Sequence, residues 1–138
     1  MASRLKHLFL LLVVVSAIMC KGGESGILPS KTLVQIINSL PSHEDVTVHC
    51  KDKNHDLGEH TVKSGEMYEF RFRPNPFTKV TLYFCSFWWP SLNKPHYFDI
   101  YKQERDTCTQ CPWKVTDYGP CLYGIECHPW NPPMPYNP

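Results

Sequence analysis

The stretch MYEFRFR alternates strictly: Tyr68, Phe70 and Phe72 fall on one face, and Met67, Glu69, Arg71 and Arg73 on the other. A period of two is the mark of a strand that buries one face. Comparable runs occupy residues 33–38, 46–50, 96–102, 112–116 and 120–123, with a weaker one at 58–63. NSLPSHED, KDKNHDLG, RPNPFT and SLNKP, all rich in turn-forming residues, separate them. VTLYFCSFWW is apolar on both faces, from Val80, Leu82, Phe84 and Trp88 to Tyr83, Cys85, Phe87 and Trp89, and predicts a central strand covered on each side. No stretch between residues 32 and 124 carries a helical repeat. The pattern predicts an all-β fold, a small antiparallel β-sandwich of about seven or eight strands.

The two ends read differently. Arg4 and Lys6 precede an unbroken apolar run from Leu8 to Val15, the order of a secretory signal peptide over residues 1–20, with cleavage between Cys20 and Gly23. The run falls short of the about 20 residues that a bilayer-spanning helix requires. The expectation is a secreted, extracellular chain with no membrane insertion. Residues 21–31 form a glycine-rich, flexible lead-in, residues 32–124 the sandwich domain, and residues 125–138, IECHPWNPPMPYNP, a proline-rich tail outside the core.

Secretion changes the reading of the cysteines, because disulfides persist in oxidising compartments. Beyond Cys20 the chain carries Cys50, Cys85, Cys108, Cys111, Cys121 and Cys127, an even set that suits a disulfide-braced domain. Cys50 is in step with Val46 and Val48, and Cys111 with Trp113 and Val115, so both sulfurs point toward the core. Cys85 lies in mid-strand with Tyr83 and Phe87, Cys121 shares a face with Tyr123, and Cys108 and Cys127 are peripheral. Charge adds an exclusion. The chain has 14 basic and 13 acidic residues, and removing Arg4 and Lys6 leaves 12 against 13, a net charge of −1. Without a clustered basic face, neither nucleic acid nor an anionic membrane is an expected partner.

The candidate chemistry is sparse. Cys108-x-x-Cys111 with Cys121 and Cys127 offers four thiolates, but their irregular spacing and the oxidising route favour disulfides over a zinc site. A thioredoxin-like C-x-x-C would open a helix in an α/β chain, and Cys127 beside His128 in the tail is a poor copper set. His43, His49, His55, His60, His96 and His128 have no evident nucleophile or carboxylate partner, and Ser64 and Ser86 lack a nucleophile-elbow context. No enzyme, metal or cofactor is expected. Asp56 in HDLG supports a turn, with Gly58 in a conformation closed to other residues. One of the paired Trp88 and Trp89 is expected to be exposed.

VHCKDKNHDLGEHTV, GEMYEFRF, TLYFCSFWW, YFDIYKQERD and CTQCPWKVTDYGPCLY follow one another across nearly the whole chain after residue 47. Together they resemble the plant self-incompatibility protein family, the S-protein homologues. The resemblance implies a small secreted β-sandwich with two core disulfides, Cys50–Cys121 and Cys85–Cys111, leaving Cys108 and Cys127 to pair with each other. It also implies cell–cell recognition, in which a pistil protein is perceived by a pollen membrane protein and self pollen is rejected.

The reading is a secreted, monomeric protein ligand for a plasma-membrane receptor on a neighbouring cell. The alternative is a secreted defence effector or an inhibitor of an extracellular hydrolase. Loops on a rigid sandwich vary without cost to the core, which makes them the place for specific contacts. The candidate receptor contacts are Lys51, Asp52, Lys53, Asn54 and His55 in one loop and Lys102, Gln103, Glu104 and Arg105 in another.

Overall fold

The structure, a computed structural model, describes residues 3–8, 10 and 30–132. Most of the expected signal peptide, nearly all of the lead-in and residues 133–138 of the tail lie outside the described residues; residues 3–8 are helical. Nine strands follow among the described residues: β1 (Thr32–Asn38), β2 (Val46–Lys51), β3 (Asp56–Val62), β4 (Met67–Phe72), β5 (Leu82–Trp88), β6 (His96–Lys102), β7 (Gln110–Thr116), β8 (Gly119–Leu122) and β9 (Glu126–Cys127). They form two sheets in the orders β4-β1-β7-β8-β9 and β3-β2-β5-β6.

The burial of β1, β2, β4, β5 and β7 alternates along the strand, whereas β3 and β8 do not alternate. Val34 and Ile36 of β1 lie opposite Phe70 and Tyr68 of β4 on one side and Cys111 and Trp113 of β7 on the other, forming the inner face of the first sheet. Val48 and Cys50 lie opposite Phe87 and Cys85 on the inner face of the second. Trp113, Phe87, Ile36, Ile100 and the valines between them are fully buried. Each such side chain contributes about 1.5–3 kcal/mol of hydrophobic stabilisation. Asn38, the buried last residue of β1, joins the layers: its Nδ2 donates to the carbonyls of Glu44 (2.8 Å) and Val62 (2.9 Å), and its Oδ1 accepts from the Leu40 amide.

Four expectations are corrected. First, the all-β sandwich stands, but β1 and β7 pair in parallel, so it is not wholly antiparallel; β1 is the first strand and lies between β4 and β7 with a hairpin connection to neither. Second, the outer face of β5 is not covered. Phe84 stacks on Tyr97 across the strand pair, while Leu82 and Trp88 remain exposed.

Third, the tail belongs to the fold. β9 pairs with β8, His128 N donates to Pro120 O (3.0 Å), and Asn131 N donates to Tyr97 O on the edge strand β6 (2.8 Å). Trp130 packs on Phe87 (ring centroids 5.0 Å apart) and stacks on His96 (4.9 Å, planes 3° apart), closing the gap between β6 of one sheet and β8 of the other. Gly119 lets the tail approach. Its φ is +145°, and a Cβ there would collide with the carbonyl oxygen of His128.

Fourth, the disulfides are Cys50–Cys85, Cys108–Cys111 and Cys121–Cys127, in place of Cys50–Cys121, Cys85–Cys111 and Cys108–Cys127. Strand register accounts for the change. Cys50 and Cys85 are direct cross-strand partners, with Cα atoms 4.0 Å apart. In β8, Pro120 and Leu122 lie opposite the inward Val115 and Trp113, so Cys121, opposite Lys114, is turned away from the core toward its β9 partner Cys127.

Candidate functional site

Strand directions bring the two predicted loops to one end of the sandwich. β2 ends at Lys51, β4 at Phe72 and β6 at Lys102, so the turns that follow them, together with the start of β5, share that end. Three backbone segments are locked there by side chains. Asp52 Oδ1 accepts from the amides of Asn54 (2.8 Å) and His55 (2.6 Å) and lies 3.1 Å from the His55 ring. Asn75 Oδ1 accepts from the amides of Phe77 (2.9 Å) and Thr78 (3.1 Å), while the Asn75 amide donates to Thr81 Oγ1 (2.9 Å). Gln103 ties the 102–106 turn to this loop, its Nε2 donating to Asn75 O (3.0 Å) and its Oε1 accepting from Thr81 N (3.2 Å).

The candidate contact residues therefore divide. Lys51, Lys53, Asn54, His55, Lys102 and Glu104 are exposed. Asp52, Gln103 and Arg105 hold the architecture. Partial burial works to raise the Asp52 carboxyl, but the amides of Asn54 and His55 and the His55 ring outweigh it and hold the group below the ordinary range. Arg105 donates through Nε and Nη2 to both oxygens of the buried Asp106, and through Nη2 to Asp99 O (2.7 Å); its guanidinium lies over the Phe98 and Trp113 rings.

Between the 52–55 loop and the 73–81 loop lies an open cleft of about 630 Å³. Leu57, Phe72, Val80, Leu82 and Tyr83 supply apolar surface, and Lys53, Arg71 and Arg73 supply cations. Burial first, and then the neighbouring Asp52 carboxylate, push the Tyr83 hydroxyl up to about 12, so it stays protonated and donates to Asp52. Sequence reading assigned Arg71 and Leu82 to strand faces and did not associate them. The available signal was that Arg71 lies two residues before the RPNPFT loop and Leu82 four residues after it, where a strand face runs out at the end of the sheet.

The remaining chemistry is dispersed. His49 pairs with Asp56 (2.5 Å), whose Oδ1 also accepts from the Gly58 amide (2.9 Å), the turn read from HDLG; Gly58 has φ +77°. His43 meets Ser64 (3.0 Å), and His60 stacks on Tyr68. Among the described residues no group of three His, Cys, Asp or Glu is placed to hold a metal ion. Of the paired tryptophans, Trp88 is 40% exposed and Trp89 4%.

Comparison with known proteins adds the family. Residues 33–135 match the family model described as plant self-incompatibility protein S1. S-protein homolog 2 of Arabidopsis thaliana is 42% identical over 115 residues, covering 74% of this chain and 70% of that protein. S-protein homolog 5 of the same plant is 42% identical over 104 residues, covering 72% and 76% respectively. A solved structure of SPH (self-incompatibility protein homologue) proteins, described as small, highly stable, secreted proteins from plants, superposes with a TM-score of 0.54. It is 15% identical and covers 75% of this chain and 97% of that one.

Proposed function

Since the chain belongs to the plant self-incompatibility protein S1 family, we propose that it is a secreted protein ligand, perceived by a plasma-membrane protein of a neighbouring cell. The signal-peptide pattern at residues 1–20 and the secreted character of the SPH proteins support export. The observation that carries the reading is the convergence of the 51–55 and 102–106 loops at one end of the sandwich. Both have backbones fixed by their own side chains, while Lys51, Lys53, Asn54, His55, Lys102 and Glu104 stay exposed. Rigid loops lose little entropy on binding, and mixed charge selects partners by complementarity. A receptor reading predicts saturable, competable binding of the oxidised protein to intact plant cells. An inhibitor of an extracellular hydrolase would instead abolish an enzyme activity without binding cells.

A further inference from the structure

The cleft beside these loops has a chemistry of its own. Its apolar lining comes from Leu57, Phe72, Tyr83, Val80 and Leu82, and Val80 is 58% exposed. Lys53 stands on the 52–55 loop and Arg71 on the outer face of the edge strand β4, so two cations approach the same space from different elements. Among the described residues neither Lys53 nor Arg71 is engaged by a carboxylate. Among the described residues Asp52 is the one acid lining the cleft, and its oxygens already accept from Asn54, His55 and Tyr83.

We infer that this cleft receives an extended acidic segment of a partner protein, with an apolar side chain of that segment seated against Val80 and Leu82. The inference rests on the ligand reading above and names the partner's chemistry at the same end of the sandwich. Charge complementarity selects the occupant: a carboxylate on each side of the apolar anchor meets Lys53 and Arg71, whose aliphatic stems extend the apolar wall. Both bordering loops are already locked by the Asp52 and Asn75 side chains, so the partner meets a preformed surface. A uronic-acid oligosaccharide shares the negative charge but has no apolar side chain for the Val80–Leu82 wall.

The test is a titration of the disulfide-intact protein, isotope-labelled for NMR, with a short peptide in which one leucine is flanked by glutamates. Saturable shift changes are expected at Lys53, Leu57, Val80 and Leu82. Lys53→Ser and Arg71→Ser should each weaken binding about threefold, and together about tenfold. Tyr118→Ser, an exposed change at the opposite end, should leave binding intact. Peptides with serine for the leucine, or lysines for the glutamates, should lose it. Equal binding by either of these peptides, by a uronic-acid oligosaccharide, or no saturable shift in the cleft would overturn the inference; these comparisons on the unaltered protein stand even if a variant misfolds. Normal cell binding by the Lys53→Ser/Arg71→Ser double variant would remove the cleft inference and leave the ligand reading standing. Loss of all cell binding by the unaltered protein would remove the ligand reading itself.

Discussion

Arg105 and Asp106, neighbours in sequence, form a two-pronged ion pair: Nε donates to Oδ1 at 2.9 Å and Nη2 to Oδ2 at 2.8 Å, with the guanidinium 5.1 Å from the centre of the Phe98 ring. Asp106 also accepts from Lys102 N (2.8 Å), so the pair sets the turn that carries Lys102 and Glu104. Removing Arg105 strands a carboxylate whose side chain is only 4% exposed. Arg105→Ser should therefore destabilise the fold by about 2–4 kcal/mol. Urea unfolding checks this, with Lys102→Ser as a surface control expected to change stability by less than about 0.5 kcal/mol.

The tail is a structural strap. Gly119→Ala places a methyl group against the His128 carbonyl at a positive φ, and one of the two segments must move. The variant should lose about 2 kcal/mol or more, with a change in tryptophan emission as Trp130 leaves Phe87 and His96. Unchanged emission and melting temperature would separate the tail from the core.

Acid should loosen the same strap. Burial under Trp130 holds the His96 imidazole below its usual range. The unfolded chain then takes up this proton before the folded one does. Stability is complete above the ordinary value of 6.5 and falls as pH drops from there toward the lowered value. Below that window, Asp52, Asp56 and Glu44, all held below their ordinary values, add a second loss as the pH falls further. Urea midpoints between about pH 7.5 and about pH 5 should decline, and His96→Gln should flatten the upper part of the curve.

The disulfide map is directly measurable. Proteolysis without reduction should release one linked fragment pair containing Cys50 and Cys85, and another containing Cys121 and Cys127. A fragment joining Cys50 to Cys121 would contradict the register of β8. Cys50→Ala should cost about 4 kcal/mol, the loop-entropy value for a closure of 35 residues.

Much of this architecture was legible in the sequence. MYEFRFR placed Tyr68, Phe70 and Phe72 inward because its alternation is clean, and the phases of Cys50, Cys85 and Cys111 follow their strands. What failed depended on distant partners. Apolar side chains on both faces of β5 implied a cover, but a strand cannot report whether anything lies over it; Trp88 and Leu82 are open. The prolines around Trp130 read as a tail outside the core, but the docking of Trp130 depends on Gly119 and His96, which the local sequence of the tail does not show. Loop composition located Lys51–His55 and Lys102–Arg105 but could not separate surface charges from Asp52, Gln103 and Arg105, whose partners are set by the fold.

The central claim, a ligand that acts through the loop end of the sandwich, is tested most directly by binding of the labelled, oxidised protein to intact plant cells, pollen included. The account predicts saturable binding that unlabelled protein competes away. A Lys51→Ser/Lys53→Ser/Lys102→Ser variant with an unchanged melting temperature should bind about tenfold or more weakly. Absence of saturable binding to every cell type, or full binding by that variant, would contradict it.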